Sequence, residues 1–536
     1  MSGRVDAVIL GAGLEGLVCA ATLARAGLEV LVLEERERPG GAVATEEIAP
    51  GFSCDVAQHD VAWVPPRLVT GLGLAGEGLE LVQPDPAVLV LPADGEPLPI
   101  WRDPGATQAE LRRHSSADAT RWPGFVERLR CHATLLGKLY AQPAPLPLSR
   151  DRGDLLQLGG LGLAARRLGG GRLVELLRTL PMPAADWLDD ELEHEPLKAV
   201  LAGRAVAGVF QGPRSGGTAF VLLHNAVGTA VGDGLCPVGP RTAVPGGVGR
   251  LAQALAGAAT RFGAHLRYGA RIERILTKDE GARGVALAGG EEIAARCVVS
   301  SLDPRRTFLD LVDPLHLAPD FVRAVGNIRY RGGWAKINLA LAELPHFPGL
   351  DAARPPGFVV LARTVEQLER AYDDAKHGHP SREPYLEVSM PSLHDARLAP
   401  PGQHVMSVLV RYVPYRLADG PWDAARREAM ADGVIEILGR SAPNLPGAVL
   451  HRQVLAPPDL ETRFGLPEGS EQHGELGLDQ ILFMRPVAGC SRYRTPVADL
   501  YLCGPATHPG GGVTGASGRL AARTVVSDRK DRRHPR

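Results

Sequence analysis

The first 41 residues restrict the possible fold more than any other part of the chain. Residues 5–41 read VDAVILGAGLEGLVCAATLARAGLEVLVLEERERPGG. The apolar pattern predicts a strand over 5–10, a helix over 17–26 and a second, buried strand over 29–33. Strand, helix and strand within so short a segment are typical of the βαβ unit that begins a nucleotide-binding parallel sheet.

Three glycines and one acidic residue specify what such a unit binds. Gly11, Gly13 and Gly16 follow the first strand, and Glu34 ends the second. In this pattern the first glycine permits a tight turn, the second lets a pyrophosphate approach the backbone, and the third allows close helix–strand packing. The amides and positive dipole end of the helix attract phosphate, and the carboxylate accepts hydrogen bonds from ribose hydroxyls. The segment therefore predicts a dinucleotide site.

The glycine spacing alone is a weak signal, because it occurs twice more in this chain. Residues 71–76 follow a proline-bearing segment that is a poor strand, and they are predicted to be a loop or a helix terminus. Residues 510–515 lie between a strand at 500–503 and a helix at 517–526, but no second strand with an acidic residue follows. The N-terminal copy is the one with the full context of the motif.

Further blocks carry a resemblance to a known family. The run after Glu34 reads ERERPGG, and Arg36, Gly40 and Gly41 match the R-x-x-x-G-G extension of two-dinucleotide-binding-domain flavoproteins. Other matching blocks are VPGGVGRLAQALAGAATRFGAHLRYGARIERI, VVSSLDPRRTFLDLV, APPDLETRFGLPEGSEQHGELGLDQ and YRTPVADLYLCGPATHPGGGVTGASGRLAA. Over nearly its whole length the chain is similar to the phytoene desaturase-related FAD oxidoreductases. Within them it most resembles the group called pyridine nucleotide-disulphide oxidoreductase domain-containing protein 2.

This resemblance implies a fold and a cofactor. The implied fold is α/β, with a Rossmann-like FAD-binding domain of the two-dinucleotide-binding-domain type and an inserted α+β substrate domain. The implied cofactor is FAD, with an adenine contact near Ile272. The residues predicted to contact FAD are Gly11, Gly13, Leu14, Glu15, Gly16, Glu34, Glu35, Arg36, Gly40, Gly41, Ile272, Gly504, Gly512 and Val513.

The two predicted domains alternate along the chain. Residues 1–70, 236–306 and 475–536 are predicted to form a discontinuous FAD-binding domain. Residues 71–235 and 307–474 are predicted to form the substrate or cap domain. The polar, basic end of the chain, after the last predicted helix, is predicted to be disordered.

Two residues depart from the family pattern. Glu15 stands where relatives commonly carry Asn or His, and it adds a negative charge near the expected pyrophosphate. Ala42 follows the glycine pair where the related amine oxidases carry Arg. The second difference favours a desaturase-like enzyme over an amine oxidase.

Composition excludes several other classes. A chain of 536 residues predicts two or three domains, and a net charge of −2 gives no reason to expect nucleic acid as a partner. The seven cysteines include no CxxC pair, so neither a redox-active disulfide nor a zinc site is expected, and they fit a reducing compartment. No signal peptide and no apolar stretch of about 18 residues is found, which favours a cytoplasmic protein.

Three positions are candidates for chemistry. His508 lies in the last glycine loop, which in the resembled family lies against the flavin, so it is the predicted catalytic residue; the alternative is a loop histidine bonded to backbone. The helix after this loop would aim its amides at the flavin. Lys336 invites comparison with the lysine that holds a water at the flavin of amine oxidases, but its place in the predicted half-buried strand 334–341 favours solvent exposure. His377 and His379 lack a third ligand nearby, so no metal site is predicted.

One segment has two interpretations. Residues 155–183 mix leucines with Arg166, Arg167, Arg172 and Arg178. Such a basic amphipathic segment is typical either of an ordinary helix pair with solvated arginines or of a peripheral membrane contact that admits a lipid-like substrate.

These features predict an FAD-dependent oxidoreductase of the desaturase or dehydrogenase type. It would transfer hydride between flavin and a hydrophobic, possibly isoprenoid, small molecule. Two alternatives remain: an oxidase acting on an amine or a polyketide-like substrate with oxygen as acceptor, and a flavin-bound interaction protein with little turnover.

Overall fold

A computed structural model describes residues 4–58, 61, 63–146, 152–227, 236, 238, 242–279, 281–512 and 515–533, without the side chains of 152, 153, 165, 168 and 531–533. The strands of the described residues are β1 (Val5–Leu10), β2 (Val30–Leu33), β3 (Thr45–Ala49), β4 (Phe52–Asp55), β5 (Val88–Leu91), β6 (Leu98–Ile100), β7 (His265–Arg267), β8 (Ile272–Lys278), β9 (Gly281–Leu287), β10 (Glu292–Ser300), β11 (Trp334–Leu341), β12 (Phe358–Leu361), β13 (Leu386–Ser389), β14 (His404–Arg411), β15 (Val449–Leu455) and β16 (Leu500–Leu502).

The α-helices of the same residues are α1 (Leu14–Arg25), α2 (Pro66–Leu72), α3 (Pro104–His114), α4 (Ser116–Tyr140), α5 (Arg152–Leu168), α6 (Gly170–Thr179), α7 (Ala184–Glu191), α8 (Glu195–Ala205), α9 (Thr218–Ala226), α10 (Gly249–Arg261), α11 (Pro319–Gly326), α12 (Val365–Lys376), α13 (Ala424–Ser441), α14 (Leu445–Ala448), α15 (Pro457–Phe464) and α16 (Ala516–Arg533). The strands assemble into two large sheets and one two-stranded ribbon, β3–β4.

The first sheet contains the predicted βαβ unit. Its order is β7-β2-β1-β10-β9-β8, and β16 also pairs with β10. β1 is parallel to both of its neighbours, β2 and β10, so the carboxyl ends of these three strands meet at one edge. In open parallel sheets this edge is where ligands bind.

Both faces of this sheet are covered, because β1 is apolar at nearly every position. Side chains alternate across a strand. Ala7 and Ile9 pack with α1, α10 and α16 in one hydrophobic cluster, whereas Val8 and Leu10 point to the opposite face, into a cluster with β8 and β9. The sheet is therefore a layer between two cores, as expected of a parallel sheet.

The second sheet is mostly antiparallel, with the order β15-β11-β14-β13-β12-β5-β6. One face is apolar and packs on α13, with Ile337 and Val408 meeting Val434 and Leu438. The other face carries buried polar side chains, among them Lys336, Asn338, Ser407 and Arg411.

The strand prediction for residues 334–341 is correct in position but wrong in burial. All eight residues of β11 are buried, and the expectation that Lys336 faces solvent is wrong, because its side chain is 0% exposed. The physical reason is the β3–β4 ribbon and the residue after it, which cover the polar face of the sheet: the thiol of Cys54 donates to Asn338 Oδ1, and Asn338 Nδ2 donates to the carbonyl of Val56.

Helices form a further layer around one large apolar core. α4, α7, α8 and α9 bury Trp122, Phe125, Trp187 and Phe220 together, and they share this core with β5, β6 and α12. The α5–α6 pair contacts α4 from outside. Among the described residues, no helix is both long enough and apolar enough to cross a membrane.

The prediction of a disordered end is wrong for residues 527–533, because α16 continues to Arg533. Arg529 forms an ion pair with Asp6 at 2.7 Å, and Asp528 accepts a hydrogen bond from the hydroxyl of Tyr501. Both bonds tie the helix to the first sheet. The domain boundaries predicted above stay a prediction. The first sheet draws its strands from 5–33, 265–300 and 500–502, and the second from 88–100 and 334–455.

Two helical glycines, Gly518 at the contact between α1 and α16 and Gly433 on the surface, should respond in opposite ways to substitution by alanine. A Cβ at Gly518 would lie 2.1 Å from the Glu15 carbonyl oxygen, whereas a Cβ at the exposed Gly433 of α13 would meet nothing within 4 Å. Gly518→Ala should lower the free energy of unfolding by about 1–3 kcal/mol through overpacking. Gly433→Ala should raise it by up to about 1 kcal/mol through helix propensity. Thermal and urea unfolding measure both, and equal effects would contradict the close packing.

Candidate functional site

A cleft of about 420 Å³ opens at the edge where β1, β2 and β10 end. The predicted site residues that line it are Gly11, Gly13, Leu14, Glu15, Glu34, Glu35, Arg36, Gly40, Gly41, Ile272 and Gly512. Gly16, Gly504 and His508 are not among the lining residues, and Val513 lies outside the described residues.

The three fingerprint glycines have the geometry that their spacing predicts. Gly11 has a positive φ of 88°, a conformation that favours glycine. A Cβ at Gly16 would lie 2.3 Å from the Gly11 carbonyl oxygen, so Gly16 is needed for the helix to pack on the turn. A Cβ at Gly13 would meet nothing within 4 Å, which leaves its backbone open to the cleft.

The N-terminus of α1 faces this opening without a side-chain cap in the described part of the chain. Its first amides therefore lack the partner that a Ser, Thr, Asn or Asp at Gly13 would supply. Together with the helix dipole they form a site suited to an anion such as a phosphate.

Glu34 is held in place by the turn itself. Its carboxylate accepts hydrogen bonds from the amides of Ala12 at 2.7 Å and Arg36 at 3.0 Å. The side chain is buried, and it lines the cleft beside the glycine turn. A carboxylate fixed in this way can still accept hydrogen bonds on its remaining lone pairs.

The charged run after Glu34 is paired within the protein. Glu35 forms an ion pair with Arg306 at 2.7 Å, and Arg36 donates to the carbonyl of Gly41 at 2.7 Å. The Gly40 amide donates to the carbonyl of Ala12 at 2.9 Å. These bonds close the glycine pair onto the first turn.

The carboxylate of Glu15 is bonded within the protein, whereas its charge alone predicted only a negative group near the expected pyrophosphate. Its carboxylate accepts hydrogen bonds from the amides of Gly515 and Gly518, each at 2.7 Å, and so caps the N-terminus of α16. Burial raises the pKa of Glu15 to about 7, against the opposing effect of these two amides. These two amides are thus bonded to Glu15 and not free for a ligand, and the prediction that this helix aims its amides at the flavin stays a prediction.

The last glycine loop forms another wall. Pro505, Gly511 and Gly512 line the cleft, whereas Gly504 packs on the segment after β10, where its Cβ would lie 2.4 Å from the carbonyl oxygen of Ser301. The loop therefore meets the cleft at Pro505 and again at Gly511 and Gly512.

His508 belongs to this loop, but its side chain is buried and does not line the cleft. Its Nε2 donates to the carbonyl of Gln142 at 3.0 Å, and burial lowers the pKa of His508 to about 4. The ring contacts Tyr140, with centroids 5.8 Å apart. The catalytic role of His508 stays a prediction, and its surroundings favour the alternative of a loop histidine bonded to backbone.

A second histidine, which the sequence analysis did not single out, reaches the same loop. His224 Nε2 bonds the carbonyl of Gly511 at 2.8 Å, so this nitrogen is the donor. The other ring nitrogen lies 2.9 Å from the hydroxyl of Tyr140 and accepts its proton when the ring is neutral. This chain of two bonds connects α4 and α9 to a residue that lines the cleft.

Lys336 lies on the buried polar face of the second sheet. Its Nζ has no hydrogen-bond partner among the described residues. Burial lowers the pKa of Lys336 to about 7, although Cys54, Asp55, Glu471 and Glu387 oppose the shift. Glu471 also lines the cleft. An amine of this kind changes its charge near neutral pH, which is the property of a proton-transfer group.

Several cleft residues were missed by sequence reasoning. They come from the segment after β10, from the end of α15 and from the loops after it, namely Ser301, Leu302, Asp303, Arg306, Thr462, Arg463, Phe464, Gly465, Leu466, Glu471, Gln472 and His473. The first four could have been found, since they follow a predicted strand of the parallel sheet. The position of the loop 472–475 has no such signal in the sequence. It depends on the buried guanidinium of Arg485, which donates to the carbonyls of Gln472, Gly474 and Glu475.

The cleft fits a dinucleotide flavin. Gly13 leaves space for a pyrophosphate, Glu34 offers acceptors for a ribose, and the uncapped end of α1 suits phosphate. Two polar atoms of cleft residues, Gln472 Oε1 and His473 Nδ1, are shielded from solvent and have no hydrogen-bond partner in the described structure. Such groups need a partner.

The fold and the cleft define a nucleotide-binding protein of the Rossmann type with a second, substrate-side sheet. Residues 16–526 match the family model described as flavin containing amine oxidoreductase. The chain belongs to this family, and the protein is a flavin-dependent oxidoreductase.

Individual relatives agree with this assignment. The chain is 38% identical to the pyridine nucleotide-disulfide oxidoreductase domain-containing protein 2 of Mus musculus, over 98% of this chain and 94% of that protein. It is 26% identical to the zeta-carotene-forming phytoene desaturase of Myxococcus xanthus, over 97% and 93%. A solved structure of putrescine oxidase with bound putrescine superposes with a TM-score of 0.62 at 16% identity, over 98% and 99%. The resemblance to the phytoene desaturase-related oxidoreductases and the predicted fold class are confirmed.

The buried carboxyl of Glu15 predicts a pH dependence of stability. The pKa is raised from its ordinary value of 4.5 to about 7, so between these values the folded protein binds this proton and the unfolded chain does not. The free energy of unfolding should therefore fall as pH rises through this range, by up to about 3 kcal/mol. Glu15→Gln should lose this component, and Glu29→Gln, at an exposed glutamate, should keep it. Urea unfolding across the range measures the slope, and an unchanged slope in Glu15→Gln would refute the assignment.

Proposed function

We propose that the flavin is FAD and that it lies along the cleft, with its adenosine part at Glu34 and its flavin part toward the last glycine loop. The observation that carries this proposal is that the fingerprint turn, Glu34 and Gly511–Gly512 line one cleft. A mononucleotide would need only part of such a site, whereas a dinucleotide uses the turn, the carboxylate and the loop together.

Each predicted contact has a role in this proposal. Gly13 and the first amides of α1 bind the pyrophosphate, Glu34 binds the ribose, and Ile272 borders the adenine. Gly11, Gly16, Gly40 and Gly41 shape the turn, while the ion pair of Glu35 with Arg306 supports it from outside. When bound, the flavin accepts or donates a hydride at its N5 atom.

We further propose a hydrophobic, isoprenoid-type substrate. A small cavity of about 30 Å³ adjoins the cleft at Glu471, and its lining includes Phe210, Tyr330, Trp334 and Tyr412 together with Arg331 and Arg411. Aromatic walls suit an apolar, unsaturated chain. Ala42, at the cleft in place of an arginine, supports the same choice, and so does the name of the desaturase relative.

Oxidation of an amine is the second candidate. The observation in its favour is the group of acidic side chains near Lys336, which are the buried Asp55 and Glu387 and the partly buried Glu471. Anaerobic mixing of the oxidised protein with a series of isoprenoid hydrocarbons and a series of alkyl and polyamines separates the two. Bleaching of the flavin band by hydrocarbons alone supports the proposal, and bleaching by amines alone supports the second candidate.

Gly13→Val is the direct test of the cofactor site. Because the position has an ordinary φ of −64° and open space around its Cβ, the variant should fold, but its side chain should occupy the pyrophosphate position. We expect the wild type to release about one FAD per chain on denaturation, and the variant to purify without flavin.

Gly76→Val is the matched control, since Gly76 belongs to the second glycine pattern and its Cβ also meets nothing within 4 Å. It should retain FAD. Release of FMN or NAD from the wild type, or full flavin content in Gly13→Val, would contradict the proposal.

Lys336 is proposed as the group that accepts a proton at the substrate side of the cleft. Its neutral amine has a free lone pair, and although Lys336 does not itself line the cleft, Glu471 of the cleft wall is one of the acidic groups that act on it. Because the pKa lies near 7, the neutral form predominates just above neutral pH.

Lys336→Met should keep FAD and slow flavin reduction by about 10²–10⁴-fold, the usual range for a positioned acid–base group. In the wild type the reduction rate should rise with pH through about 7, and the variant should lack this rise. A second readout needs no substrate: the pKa is lowered from 10.5 to about 7, so the wild-type free energy of unfolding should rise between these pH values. The variant should lose that rise. Lys278→Met, at an exposed strand end, should change neither property.

A further inference from the structure

Exposed apolar side chains are concentrated in α5 and α6. Of the nine large hydrophobic residues that are exposed in the described structure, five lie between residues 155 and 177. They are Leu155, Leu156, Leu163, Val174 and Leu177, with exposed fractions between 51% and 78%. The other four are scattered over the molecule, so this cluster marks a surface that the fold itself leaves uncovered.

The spacing places these side chains on helix faces. Leu156 and Leu163 are seven residues apart, two turns of α5, and the exposed Gly159 and Gly160 between them leave the ridge smooth. Val174 and Leu177 are three residues apart on α6. Residues at these spacings are neighbours on a helix surface. We call the exposed side of α5–α6 the apolar hairpin surface.

Positive charge surrounds this surface. Arg166, Arg167, Arg172 and Arg178 are all exposed. The two acidic residues of the same stretch are paired, Asp154 with Arg492 and Glu175 with Arg128, and Arg178 is paired with the exposed Asp190 at 3.2 Å. Arg166 and Arg167 form no ion pair in the described part of the chain. The surface is therefore both apolar and cationic.

We propose that the apolar hairpin surface docks on an anionic lipid bilayer. The leucines and Val174 would enter the boundary between headgroups and acyl chains, and the arginines would meet lipid phosphates. A second copy of this chain suits the surface less well, because a two-fold contact would set the arginines of one copy against those of the other. The proposal does not depend on the flavin or on the substrate.

The test is co-sedimentation of the purified flavoprotein with vesicles of defined lipids. We expect binding to phosphatidylcholine–phosphatidylserine vesicles at low salt, weaker binding at high salt, and little binding to phosphatidylcholine alone. Leu156→Ser combined with Leu177→Ser should lower the bound-to-free ratio by about tenfold or more. Arg166→Gln combined with Arg167→Gln should lower it by about tenfold at low salt and should flatten the salt dependence.

Matched controls lie outside the surface. Leu315→Ser with Leu450→Ser removes two other exposed leucines, and Arg323→Gln with Arg382→Gln removes two other exposed arginines. Both pairs should bind vesicles like the wild type. Absence of sedimentation with anionic vesicles at low salt overturns the proposal, as does equal loss in the control pairs. A concentration-dependent dimer that the Leu156→Ser and Leu177→Ser pair abolishes would identify a second copy as the occupant instead.

Discussion

The contact between the turn after β1 and the segment after β10 sets the geometry on which the cleft depends. The hydroxyl of Ser301 donates to the carbonyls of Leu10 at 2.7 Å and Gly11 at 3.1 Å. α1 can lie on this turn because Gly16 has no side chain: a Cβ there would lie 2.3 Å from the Gly11 oxygen and 3.0 Å from the Ser301 hydroxyl. With the helix so close, its N-terminus is directed into the cleft, and the phosphate-binding character of the site follows from packing as much as from charge.

Glu15 extends this contact to the other end of the chain. Its carboxyl bonds the amides of Gly515 and Gly518, up to 503 residues away. A buried carboxylate is costly, and the positive end of α16 together with the two amides offsets part of that cost, so the pKa of Glu15 stays raised. The acidic residue that looks unfavourable beside a pyrophosphate thus works as a clamp between the first and last helices of the nucleotide-binding sheet.

These contacts explain which features could be predicted from sequence. The shape of the glycine turn and the side-chain bonds of Glu34 are local: the Glu34 carboxylate bonds the amides of Ala12 and Arg36 within one βαβ unit, so residue type and spacing suffice to predict them. The direction in which the Glu15 carboxyl points and the burial of Lys336 depend on residues that are distant in the sequence. WAKINLAL has the alternation of a half-buried strand, and it is the distant β3–β4 ribbon that covers its polar side. Likewise, Gln472 and His473 line the cleft because the guanidinium of Arg485 bonds the carbonyls of their loop. The spacing of residues in the sequence gives no sign of this contact.

The polar face under that ribbon also shows where the protein tolerates charge. Arg411 and Glu387 are both buried and pair at 3.0 Å, so their charges compensate each other. Lys336 lies on the same buried face, on β11, and its Nζ has no hydrogen-bond partner in the described residues. A buried unpaired amine destabilises the fold and is usually replaced unless it has a function. The contrast between the paired Arg411 and the unpaired Lys336 is the reason to place proton transfer at the lysine.

The apolar hairpin surface and the cleft are connected through α4. Tyr140 is the last residue of α4, and α5 begins at Arg152, so the hairpin follows directly after the helix end that reaches the last glycine loop. From Tyr140 the hydrogen bonds run through His224 to the carbonyl of Gly511. An apolar, isoprenoid-type substrate partitions into the bilayer and not into water. The proposed lipid-docking surface would then lie close, through α4, to the last glycine loop, which the proposed function assigns to the flavin.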